Sequence, residues 1–261
     1  MKRNTPSEMR DIDPRALELH HNELVLDYYP LGIPLVIDDE LREMVKHRVE
    51  EGANGNAVVF EILDTCLSRM EGPDVPQTSG QNDPRSAGRG ESTRKRLEQA
   101  IARSGVDCAA VTLGDPARPL SDFGNITDSI SWWERMIQAL PILTQVSSAS
   151  EIEAAARAGR YGLLYVLQDG GAVEEDLDHV EELYNRGVRI IQLTYNRANS
   201  LGAGCAEDPA KGLTELGREA IARMKRAGIA VDLSHCNRQT TLEGIAACAE
   251  SFICEMRSGQ V

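Results

Sequence analysis

The sequence predicts an α/β protein of about five βα units, and three observations carry that prediction. Short, unbroken apolar runs alternate with longer segments whose composition favours helix. A glycine stands at each of four helix-to-strand joints, Gly105, Gly159, Gly187 and Gly228, where helix C-termini favour a left-handed residue. Polar and small residues collect just after the apolar runs, at 168–171, 194–199 and 232–235. Working residues gather at such strand ends in parallel α/β sheets.

Taken in order, residues 1–52 read as an N-terminal extension, charged, with Pro6, Pro14, Pro30 and Pro34 and one helical pattern over 39–50. Residues 53–261 carry the βα domain. Its first strand is expected at 57–63, an apolar run entered from a Gly-Ala-Asn-Gly-Asn stretch. The 71–91 segment holds four glycines, three prolines and Val75 as its one large aliphatic residue, the pattern of a long functional or disordered loop. A helix is expected at 92–104 and a strand at 106–113. Helices follow at 125–139 and 150–158, the second opening on Ser150 with Glu153 three residues later, a capping-box pattern. The rhythm continues with a strand at 161–167, a helix at 173–185 and a strand at 187–194. It closes with a helix at 214–226, a strand at 229–233 and a helix at 238–250.

Continuous apolar strands separated by helices mean a parallel sheet covered on both faces. Two architectures remain open on this evidence, a doubly wound sheet and part of an eight-stranded barrel. The doubly wound reading calls for a glycine-rich phosphate loop after the first strand, but there the chain runs Leu63-Asp-Thr-Cys-Leu-Ser-Arg69. Gly202-Ala-Gly204, after the fourth strand, is a weak match to such a loop.

A net charge of −13 argues against a nucleic-acid partner. The sequence has no apolar run of the roughly 18 residues a membrane span needs. The N-terminal residues lack the apolar core of a signal peptide. Six cysteines without a C-x-x-C pair suit reduced thiols in a cytoplasm. Only five histidines, at 20, 21, 47, 179 and 235, are available for metal or acid–base work. Of these His235 is the sharpest candidate, because it sits at the mouth of a parallel sheet; Asp232 either orients it or caps the turn. Gln168 and Asp169 bring polar groups to the same rim or simply form a turn. Tyr195 and Asn196 are placed to hold a substrate. The acidic run 174–178 reads as a helix start favoured by the dipole, Cys108 as a buried small hydrophobe, and His20 and His21 as surface residues.

The segment from about 161 to 250 resembles the renal or membrane dipeptidase family. The residues that carry the resemblance are Gln168-x-Gly170, the run from Leu183 through Gly187-Val-Arg to Leu193-Thr194, Asn199, Gly212-Leu-Thr-x-x-Gly217, and Met224-x-x-x-Gly-Ile-x-Val-Asp-Leu-Ser-His235. The resemblance implies a zinc-dependent peptidase on a (β/α)₈ barrel, here incomplete, that cleaves dipeptides with a metal-activated hydroxide. It makes His235 a zinc ligand. It places Gln168 where the family has a bridging carboxylate, and Cys66-x-Ser68 where the family has a His-x-Asp pair. Tyr195 stands where a family histidine helps bind the tetrahedral intermediate. The family pattern continues beyond residue 250 with a further strand, a metal-binding His, a substrate-binding Arg and a late Asp, and the tail to Val261 resembles the start of that strand. The expectation is therefore a shortened chain, by nature or by loss of reading frame, with an exposed sheet edge that favours a homo-oligomer. A second expectation is a catalytically inactive relative that keeps the scaffold and binds a small molecule or a partner.

Overall fold

The computed structural model describes residues 13–27, 33–34, 37–71, 89–114, 121–248 and 252–253. They fall into two compact units, one within Met1–Val111 and Ser131–Leu163, the other within Thr112–Ile130 and Leu164–Val261. Residues 72–88 of the expected long loop, and the tail apart from 252–253, lie outside the described residues.

The first unit opens with α1 (Pro14–Asn22), β1 (Leu26–Asp27) and α2 (Asp39–Glu50), followed by α3 (Gly55–Glu71) and α4 (Arg89–Ser104). The strand expected at 57–63 is thus a helix. Buried residues recur along it at Val58, Ile62, Leu63, Cys66, Leu67 and Met70, a helical spacing that a seven-residue window cannot distinguish from a strand. β2 (Cys108–Thr112) follows, then α5 (Phe123–Ala139), β3 (Leu143–Gln145), α6 (Ala149–Arg157) and β4 (Tyr161–Leu167). β1 pairs with β2 and β3 with β4, both in parallel. Gly162 N donates to Asp107 O (2.8 Å), which makes β2 and β4 neighbours. The cap of α6 lies two residues before the expected one: the Ser148 hydroxyl accepts from Glu151 N, and Glu151 Oε2 accepts from Ser147 N (2.7 Å).

The second unit begins its own elements with a 3₁₀ turn (Gly170–Val173), then α7 (His179–Asn185), β5 (Val188–Gln192), α8 (Glu215–Ala227), β6 (Ala230–Asp232), α9 (Arg238–Cys248) and β7 (Phe252–Ile253). Within it β4, β5, β6 and β7 pair in that order, all in parallel. The helix expected over 173–185 is confined to α7, because Asp176 Oδ1 accepts from Asp178 N (2.8 Å) and holds that stretch in a turn. α8 shows why a local pattern can succeed. Thr214 caps it by accepting from Gly217 N (2.9 Å), and Gly217, Ala220, Ile221 and Met224 form its buried stripe. Gly228 then ends it in a left-handed conformation at φ 87°. Gly105, Gly159 and Gly187 are left-handed as well, as the joints predict. Among the described residues no helix is long and apolar enough to cross a membrane.

Candidate active site

Three strand ends in the second unit build the site. After β4 the chain turns at Gln168 and Asp169, and Asp169 caps the 3₁₀ turn by accepting from Gly171 N (2.7 Å). A Cβ at Gly171 would lie 2.9 Å from that carboxylate and 2.7 Å from the Ser121 Cβ, so the tight turn leaves no room for a side chain there. Asp169 also reaches across to the loop after β5, accepting from Tyr195 N (3.1 Å) and Asn199 Nδ2 (3.2 Å). Burial lifts its carboxyl above the usual range, partly offset by those hydrogen bonds, and the nearby Glu174 charge lifts it further. Gln168 is half-buried, and its backbone carbonyl accepts from Gln192 Nε2 (2.7 Å).

After β6 the buried Asp232 carboxylate accepts from Ser234 N (2.8 Å). Of its two expected roles the structure shows the cap. His235 sits at φ 63°, the one non-glycine residue with positive φ among those described. Its backbone carbonyl accepts from Cys205 N (2.7 Å). Its Nδ1 lies 2.9 Å from Asn196 Oδ1, and its ring stacks on Tyr195 with centroids 4.4 Å apart and planes at 22°. With Asn196 Oδ1 as acceptor, this contact matches the tautomer that carries its proton on Nδ1. The structure therefore brings Tyr195, Asn196 and His235 into one group.

Sequence reasoning missed the residues that lock this group. Cys205 Sγ donates to the same Asn196 Oδ1 (3.5 Å), and Thr194 Oγ1 donates to Cys236 Sγ (3.2 Å). Gly204 bridges to Cys236, where a Cβ would stand 2.4 Å from Tyr195 O. The glycine before Cys205 was the available signal. Glu174 belongs to no helix start: its carboxylate accepts from both Ser200 N (2.8 Å) and Ser200 Oγ (2.9 Å). Asp169, Glu174, Ser121, Tyr195, Asn199 and Ser200 face a hollow of about 670 Å³. Cys66 belongs to the first unit, inside α3 rather than at a strand end, and burial pushes its thiol up to about 11.

Residues 78–252 match the family model of membrane dipeptidase, peptidase family M19. The chain belongs to the membrane dipeptidase family. Its fold is that of solved relatives below 25% identity. One is an amidohydrolase from Pseudomonas aeruginosa, 24% identical, with a TM-score of 0.56 over 88% of this chain and 52% of that one. Another is a probable dipeptidase from the same organism, 20% identical, with a TM-score of 0.51 over 90% of this chain and 54% of that one. A third is a metallo peptidase from Rhodobacter sphaeroides liganded with a phosphinate mimic of the dipeptide L-Ala-D-Ala, 16% identical, with a TM-score of 0.52 over 86% of this chain and 62% of that one. The chain thus spans between about half and six-tenths of the length of these dipeptidase-fold structures. They establish its α/β class as that of an incomplete (β/α)₈ barrel.

Family resemblance implies zinc, and the donor set tests that implication. Zinc takes thiolate, imidazole and carboxylate ligands converging on one point. Among the described residues no three His, Cys, Asp or Glu side chains converge in that way. Gln168 is neutral, a poor stand-in for a carboxylate that bridges metal ions. The described residues do not by themselves fit a zinc pair.

Proposed function

We propose that this chain acts on dipeptides as a hydrolase, with the second unit presenting the substrate face. Tyr195 and Asn196 hold the peptide beside His235. The Tyr195 hydroxyl donates to the oxygen that gains charge as the peptide carbonyl is attacked, the kind of preorganised donor that acyl transfer relies on. The observation that supports this reading best is the linking of Tyr195, Asn196 and His235 by one hydrogen bond and one ring stack at adjacent strand ends, in a chain of the dipeptidase family. Zinc is the metal that membership of the family calls for, although among the described residues no converging trio of ligands would hold it. The free cysteines among the described residues suit a reducing compartment such as the cytoplasm.

The test is hydrolysis of a dipeptide panel by the full chain, before and after zinc loading, with bound metal measured alongside. The expected result is turnover that depends on zinc, is abolished in His235→Ala and falls by about 10²-fold in kcat for Tyr195→Phe. A second reading, binding without hydrolysis, is favoured by the lack of a converging ligand trio among the described residues. Dipeptide binding with no turnover and substoichiometric zinc establishes the second reading and overturns the first. Neither binding nor turnover overturns both.

A further inference from the structure

The hollow beside the Tyr195–His235 pair has a chemistry of its own. Its polar walls carry two carboxylates, Asp169 and Glu174, together with Ser121 and Ser200, and Tyr195 contributes an aromatic ring. Among the described residues neither carboxylate has a salt-bridge partner; backbone N–H groups, Asn199 and Ser200 are their donors. A carboxylate offers about four acceptor positions over its two oxygens. Asp169 Oδ1 takes two donors and Oδ2 one, and each Glu174 oxygen takes one. Acceptor capacity therefore remains on both residues, within a space large enough for a small molecule.

We propose that this hollow binds the ammonium group of a small amine-bearing ligand, held between Asp169 and Glu174 and beside the Tyr195 ring. An ammonium carries three donors and no acceptor, so it matches a wall of partly used carboxylates and hydroxyls. An aromatic ring adds attraction for a cation. Two negative charges exclude an anionic ligand. A bare divalent cation demands several converging oxygen ligands, and no converging group of three metal-binding side chains stands among the described residues. Asp169 is held rigidly by its turn, and Glu174 is pinned through both oxygens by Ser200, so little side-chain entropy remains to be lost on binding. Identifying the ligand as a peptide with a free N-terminus rests on the dipeptide reading; the ammonium site itself does not.

Calorimetric titration of the full chain with alaninamide, which carries an ammonium but no carboxylate, tests the proposal against N-acetylalaninamide, which lacks the charge. Alaninamide binds and the acetylated compound does not; Glu174→Gln weakens alaninamide by about tenfold or more, the worth of a hydrogen bond to a charged group. Comparing the two ligands on the unaltered chain keeps the test decisive even where Glu174→Gln fails to fold. Equal binding of both compounds, no binding of alaninamide, or unchanged affinity in a folded Glu174→Gln protein overturns the site. Selective alaninamide binding without dipeptide turnover leaves the site standing and removes the hydrolase reading. Turnover of dipeptides together with equal binding of alaninamide and N-acetylalaninamide overturns the site and leaves the hydrolase reading intact.

Discussion

His235 spends conformational energy to stand where it does. A histidine at φ 63° occupies the left-handed region, which is uncommon for any residue with a side chain although asparagine, aspartate and histidine visit it more than others, at a cost of order 1–3 kcal/mol. The Asn196 hydrogen bond, the Tyr195 stack and the bond from Cys205 N to its carbonyl offset that cost. Two substitutions separate strain from contacts. His235→Ala loses the two side-chain contacts and keeps the strain and the backbone bond, so denaturant unfolding shows a loss of about 1–2 kcal/mol. His235→Gly loses the same contacts but adopts positive φ freely, so its loss is smaller. A glycine variant as unstable as the alanine variant contradicts the strain assignment.

At the scale of elements, the first unit stores two thiols that resist ionisation. Cys66 on α3 and Cys108 on β2 are buried, and burial pushes each thiol from the ordinary 9.0 up to about 11. Between about 9 and 11 the unfolded chain releases these protons while the folded chain keeps them, so the folded state binds more protons there. Stability then falls as pH rises through that window and is unaffected by these groups below it. Urea unfolding across pH 8 to 11 shows the decline, and replacing Cys108 with alanine makes it shallower. A decline of the same steepness without that thiol contradicts the assignment. The same burial makes both thiols slow to alkylate at neutral pH compared with the half-exposed Cys205.

Across the whole molecule, what was legible in the sequence follows the range of the interactions involved. β2, β4, β5 and β6 are continuous apolar runs ended by polar residues, and the left-handed glycines at 105, 159, 187 and 228 mark the joints before them. Their periodicity is local, so the α/β class was readable. α3 was not, because its apolar side continues through Cys66, Leu67 and Met70, beyond the short run that suggested a strand. β3 was not either, since three residues carry too little pattern to register. The positions of Tyr195, Asn196 and His235 were readable as strand ends. Their partners were not: Asp169 meets Tyr195 from 26 residues away, Glu174 meets Ser200 across the same separation, and Gly204 bridges to Cys236. Nothing in a local window selects one long-range acceptor over another.

The central claim is that the ends of β4, β5 and β6 form a single peptide-binding face. Backbone-amide NMR of the full chain, titrated with alanylalanine, tests it most directly. The predicted result is saturable shifts concentrated at Asp169, Tyr195, Asn196, Ser200 and His235; shifts that never saturate, or that gather on the first unit while these five residues stay still, would contradict it.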